Sequence, residues 1–198
     1  MARRSDHSKD ELKQMAITAG YNIIKSQSFS NFSARKVASE IGYTVGTIYH
    51  IFGSHDHLIL HINAKTLDGW YAALEETIAA SKKPLTVHDL AKFYINYSTN
   101  HYNEWSALFE HTMSADSVLP DWYIPKMRRF FDLVETLVLP HVKNNKRKAR
   151  RSARVLWAGI HGICVLSLSK KLDLVESESP TILAKSFVDN YLRGLQHE

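Results

Sequence analysis

Residues 37 to 52 read VASEIGYTVGTIYHIF, and no other stretch restricts the fold as much. Ser33 can cap a short helix with Val37, Ala38 and Ile41 on its inner face, and Gly42 stops it. Thr44 then caps a second short helix in which Ile48 and Phe52 (or Ile51) pack back. Just upstream, Ser8 and Glu11 of SKDE form a capping box for a helix carrying Leu12, Met15, Ala16, Ala19 and Ile23 on one side. Three helices within about fifty residues make one compact unit.

The rest of the chain is patterned for helices too. Leu58, Ile62, Leu67, Trp70, Leu74 and Ile78 define a long helix over 55–80. Beyond Pro84, VHDLAKFYINYSTNHYNEWSALFEHTMS and PDWYIPKMRRFFDLVETLVLPHV keep apolar residues three and four apart. The basic run KNNKRKARRSAR leads as a solvated loop into an apolar helix, and Ser179-Pro180 caps a last one with Ile182, Leu183, Phe187, Tyr191, Leu192 and Leu195. The β-branched alternation of strands is missing, so the expectation is an all-α chain of about nine helices.

The bulk properties set limits. With 198 residues, 44% of them hydrophobic, the chain can bury a real core, and 25 Lys and Arg against 20 Asp and Glu leave +5, which suits a polyanionic partner without requiring one. One cysteine, Cys164, rules out an intramolecular disulfide and a multi-cysteine zinc site and suits a reducing cytoplasm. No run of about 18 apolar residues is present, and no apolar segment follows the first arginines, so neither a membrane span nor a signal peptide is expected.

Two short helices around a glycine turn are the geometry of a helix-turn-helix, whose first helix crosses the DNA backbone and whose second enters the major groove. Thr44 and Thr47 offer hydroxyls, Val45 can meet a thymine methyl, and Gly46 omits a side chain where the groove comes close. Such a hairpin can also be plain support, in a small-molecule-binding helical protein or an enzyme.

The stretch FSARKVASEIGYTVGTIYHIFGSHDHLIL resembles the N-terminal domain of the TetR family of transcriptional regulators, and the resemblance covers residues 8 to 62 without a gap. It implies a helix-turn-helix DNA-binding domain over 1–54 and a ligand-binding and dimerisation domain over 55–198. By similarity Tyr43, Thr44, Val45, Gly46 and Thr47 face bases, Ser33, Tyr49 and His50 hold phosphates, and Arg3 and Arg4 form an arm toward the backbone or minor groove. The family usually has His just before the Phe and Lys three residues after it. Here Ile51 and His55 take those places, so the phosphate anchor at His55 is expected to be weaker or pH-dependent.

LWAGIHGI, residues 156 to 163, resembles the Trp-x-x-x-His-Gly signature of one TetR subgroup's C-terminal domain. Trp157 and His161 are four apart and can stack on one helical face. The resemblance implies a homodimer built on the last two helices, with Leu183, Phe187, Tyr191 and Leu195 at or near the two-fold interface. It also implies a pocket for a small apolar or aromatic effector, placed from composition among Trp105, Phe109, His111, Trp122, Tyr123, Trp157 and His161. The partners expected are therefore a palindromic double-stranded operator, a small effector and a second copy of the chain, with no membrane partner.

Other constellations are weaker. His57 and His61 are one helical turn apart, but no acid completes a metal set and Asp56 points elsewhere on the helix, so these are read as solvated polar side chains. Seven basic residues between Lys143 and Arg154 are read as a solvated connection rather than a second nucleic-acid surface. Glu104 or Glu110 with His111 can be drawn as an acid-base pair, as on many surface helices, and no nucleophile elbow or phosphate loop exists. The chain is expected to be a non-enzymatic, cytoplasmic, ligand-responsive repressor with no cofactor and no metal.

Overall fold

In the computed structural model, residues 7–114, 117–174 and 178–196 are described. Among them are nine α-helices, three short 3-10 turns and no strand. They divide into two compact units, one of residues 7–70 and 101–123, the other of 71–100 and 124 onward.

In the first unit α1 (Lys9–Gln27) starts on the Ser8–Glu11 capping box: Glu11 N–H donates to the Ser8 hydroxyl and the Ser8 N–H donates to the Glu11 carboxylate. Ser33 caps α2 (Ala34–Glu40), Gly42 turns the chain with φ +75°, and Thr44 caps α3 (Val45–Phe52). The long α4 (His55–Ala80) begins in this unit. Ala16, Ile24, Val37, Ile48, Leu58 and Ile62 fill the core. Gly20 lets α1 and α4 approach closely, because a Cβ there would lie 2.4 Å from the Ile62 side chain.

The stretch after Pro84 does not form one helix. It breaks at His101 into α5 (Val87–Asn100), which belongs to the second unit, and α6 (Tyr102–Glu110), which packs on α1. No Pro or Gly marks this break. What holds α6 is tertiary: Ala107 joins the α1–α4 core, Tyr21 donates a hydrogen bond to the buried Glu104 at 3.4 Å, and Asn103 donates to Lys25 O at 2.8 Å. The division expected at residue 54 follows the helix-turn-helix, whereas the packing groups α6 with it.

In the second unit α7 (Ile124–Val138), α8 (Lys146–Leu168) and α9 (Pro180–Gln196) pack with α5 around Val134, Val138, Ala153, Leu156, Ile160 and Val188. The basic run is not a loop as expected. Asn145 caps α8, so the run from Lys146 forms its first turns, with Ala149, Ser152 and Ala153 turned inward and the cations outward. Arg150 and Arg154 reach Glu135 of α7 at 3.7 and 3.8 Å.

Candidate nucleic-acid interface

The buried side of α3 is fixed by Ile48, which is fully buried, and by Phe52. That leaves Thr44, Gly46, Tyr49 and His50 exposed, Tyr49 by 42%, and Tyr43, Val45 and Thr47 half-buried. Val45 also packs against the core cluster, so only part of its side chain is available to a partner. Thr44 serves twice: its Oγ1 accepts from the Thr47 N–H at 3.2 Å and lies 3.0 Å from the Thr47 hydroxyl. Ser33 likewise accepts from the Lys36 N–H as the α2 cap. The Gly46 position is open, since an added Cβ would meet nothing nearer than the Thr44 Oγ1 at 3.6 Å. The protomer therefore gives no steric reason for glycine there.

Tyr43 is not free. Its phenol oxygen lies 2.9 Å from His7 Nδ1, and the two rings meet edge to face. No local pattern in the sequence signals this pairing, which spans 36 positions. Arg3 and Arg4 lie outside the described residues. Arg35, exposed on α2 beside the Ser33 cap, is a cation that the motif did not single out; the rule that the first helix crosses the backbone is the signal that finds it.

The histidines after α3 are not simply solvated, as the sequence had suggested. His55 is exposed, but the His57 N–H donates to the Ser54 hydroxyl and its Nδ1 lies 3.2 Å from Phe52 O. His61 stacks on Trp122 at 4.2 Å and is tilted on Phe52 at 5.5 Å. Burial, then the charges of Lys13 and His57, pull its pKa down to about 4. Asp56 accepts three hydrogen bonds on Oδ2, from the Ser117 hydroxyl and from the Ser114 hydroxyl and N–H, which hold its carboxyl at about 2. His111 Nε2 lies 3.3 Å from Asp56 Oδ1, near enough for attraction but off hydrogen-bond geometry. Its pKa is lowered, by burial first, with Asp56 opposing. Among the described residues no three His, Cys, Asp or Glu side chains are grouped to hold a metal.

The residues proposed for an effector pocket separate. Trp105, Phe109, His111, Trp122 and Tyr123 are in the first unit, where Trp105 and Tyr123 are buried and Phe109 and Trp122 exposed. Trp157 and His161 are in the second, stacked at 5.3 Å, with His161 Nδ1 3.0 Å from the Tyr94 hydroxyl. Burial lowers the His161 pKa. The cavity that Trp157 lines with Tyr94, Phe130 and Ile160 holds only about 30 Å³, room for one or two waters. A cavity of about 290 Å³ lies elsewhere in the second unit, beside Cys164. Composition gave no sign of it.

Leu183, Phe187, Tyr191 and Leu195 form a half-buried ridge along α9, while Ala184, Val188 and Leu192 face the core. The Phe187 ring sits on Gly159 of α8, where a Cβ would come within 2.3 Å.

No helix among the described residues is long and apolar enough to cross a membrane. No curated protein is similar enough in sequence to match. Among solved structures, a protein of unknown function from Rhodococcus sp. RHA1 shares 17% identity over 98% of this chain and 99% of its own, with a TM-score of 0.70. A TetR family member from Streptomyces coelicolor A3 shares 17% over 93% and 98%, with 0.55. The multidrug binding protein EbrR, in complex with proflavin, shares 18% over 91% and 99%, with 0.60. Residues 16–62 match the family described as bacterial regulatory proteins, tetR family, and residues 87–191 match the tetracyclin repressor-like C-terminal domain. With its helix-turn-helix in the first unit and this C-terminal domain occupying more than half the sequence, the chain belongs to the tetR family of DNA-binding transcriptional regulators.

Proposed function

We propose that the protein is a cytoplasmic homodimeric repressor that binds a palindromic operator through α3 and releases it when a small molecule binds the C-terminal domain. The observation that carries this is the division of α3. Ile48 and Phe52 anchor it, and its opposite side presents Thr44, Gly46, Thr47, Tyr49 and His50. Ser33, Tyr49, His50, His55 and Arg35 contact phosphates, while Tyr43 to Thr47 face base edges.

Two recognition helices must sit about one DNA turn apart, roughly 34 to 36 Å or a multiple, which requires a dimer. The α9 ridge supports a second copy as that partner. On α8, Val155, Val165 and Leu166 are exposed, and Gly162 lies in open space with no atom within 4 Å of an added Cβ. A mid-helix glycine costs up to about 1 kcal/mol relative to alanine, and close helix approach in a dimer accounts for it.

An effector acts only as far as it binds the two spacings differently. A multidrug-binding neighbour of the same fold that holds proflavin supports an aromatic effector here. The Trp157–His161 stack is the wall that would receive it, and because only about 30 Å³ is free there, binding would require a conformation in which this site opens. Trp105, Phe109, His111, Trp122 and Tyr123 are the remaining candidates.

The experiment is selection of genomic fragments by the purified full-length protein. Retained fragments should share a palindrome with half-sites one turn or a whole number of turns apart. Non-palindromic sites bound by a monomer would contradict the proposal.

A further inference from the structure

The first turns of α8 carry an arrangement that a helix disfavours. Seven Lys and Arg and no acid fall between Lys143 and Arg154, and the helix begins at Lys146 behind the Asn145 cap. Cations at a helix N-terminus face the positive end of the dipole, where acids belong. Ala149, Ser152, Ala153 and Leu156 turn into the core, which leaves Arg147, Arg150, Arg151 and Arg154 along the opposite, exposed side. These four stand three and four apart, the spacing at which like charges on a helix repel. Glu135 answers for only two of them: it lies 3.7 Å from Arg150 and 3.8 Å from Arg154, whose guanidinium also sits over the Phe131 ring at 5.6 Å. Among the described residues none forms an ion pair with Lys146, Arg147 or Arg151.

A stretch that works against its own local preference points to a role outside the fold. A row of cations without acids fits a polyanion, and arginine in particular fits phosphate, which its guanidinium can meet with two parallel hydrogen bonds. A lipid surface fits less well. Between Lys146 and Arg154 the only apolar side chains are Ala149 and Ala153, both buried, so nothing here can enter a bilayer. From Arg147 to Arg154 the helix rises about 10 Å, a length over which duplex DNA presents about six phosphate charges. We infer that this arginine face of α8 is a second, sequence-independent contact surface for the phosphate backbone of double-stranded DNA, carried by the second unit and separate from the α3 site in the first.

The full-length protein is titrated with a short fluorescent duplex of arbitrary sequence across a salt series. One variant combines Lys146→Gln, Arg147→Gln and Arg151→Gln, since glutamine keeps the helix propensity of the residues it replaces. Each phosphate contact contributes about 0.9 to the slope of log affinity against log salt. This variant should therefore flatten the slope by up to about 2.7 and lower affinity at about 0.1 M salt by at least about tenfold. A control combining Lys82→Gln, Lys83→Gln and Lys92→Gln removes the same charge from exposed positions elsewhere in the second unit and should leave the slope nearly unchanged. The urea midpoint of the α8 variant should hold or rise, because like-charge repulsion and the conflict with the dipole are relieved. An unchanged slope, an equal loss in the control, or a midpoint that falls would overturn the proposal. Loss of binding to phosphatidylserine vesicles with DNA binding intact would place a membrane on this face instead. The duplex carries no operator and α3 is unaltered in every variant, so failure here leaves the reading of α3 standing.

Discussion

The hydroxyls of Thr44 and Thr47 lie 3.0 Å apart across the first turn of α3. Thr44 also accepts the Thr47 N–H, so the cap that starts the helix and the hydroxyl pair proposed to face DNA share one atom. Thr44→Ala should therefore cost about 1 kcal/mol of stability through the lost cap, while Thr47→Ala, which leaves the backbone bond in place, should cost less than half of that. Urea melts of the two variants measure this. Equal losses would mean that the cap is not held by Thr44.

Gly46 separates folding from function. A Cβ there meets only ordinary contacts, so Gly46→Ala should stabilise the first unit by up to about 1 kcal/mol, as alanine favours helix over glycine. With α3 in the groove as proposed, the same methyl would intrude on the DNA, so operator affinity should fall. A variant that melts higher yet binds DNA as before would show that Gly46 is not at the interface.

For assembly, Phe187→Glu should give monomers or aggregates. Because the Phe187 ring also packs on Gly159 within the protomer, Gly162→Leu is the cleaner variant: its space is open in the protomer, so the fold should hold while the dimer weakens. Sedimentation across a concentration series reads both. A wild-type protein that stays monomeric at high concentration while binding its operator tightly would rule out the dimer.

Acid should destabilise the first unit in two steps. The lowered pKa of His61, about 4 against 6.5 unfolded, means the unfolded chain takes up protons first, so stability falls as pH drops from about 6.5 to 4. His111, also lowered, adds to this step. Asp56, at about 2 against 3.8, contributes stability above 3.8 that is lost as pH falls toward 2. His61→Phe keeps a ring against Trp122 and should flatten the upper step alone; Asp56→Asn should flatten the lower one. Denaturant midpoints measured from pH 7 down to 2 check both.

Much of the first unit was legible because its signals are local. The Ser8–Glu11 box, the Ser33 and Thr44 caps and the Gly42 turn are all decided within four residues, and each is found in place. The Trp157–His161 stack, one turn apart on a helix, was legible for the same reason. What escaped depends on distant partners. The break at His101 comes from Glu104 and Ala107 packing near α1, and the half-burial of His61 comes from Trp122, 61 positions away. Tyr43 meets His7 across 36 positions, and the Cys164 cavity is a shape left between three helices, which no composition encodes.

The central claim is that α3 reads DNA through side chains the fold does not need. Thr47→Ala and Tyr49→Phe remove hydroxyls from its exposed side and leave Ile48 and Phe52 untouched. Each should lower affinity for the selected palindrome by about 1 kcal/mol, or more where the lost bond is to a charged phosphate, with the urea midpoint nearly unchanged. A titration of fluorescent operator at fixed salt measures it. Affinity reduced about fivefold or more in each variant is the predicted result; wild-type affinity in both would contradict the account.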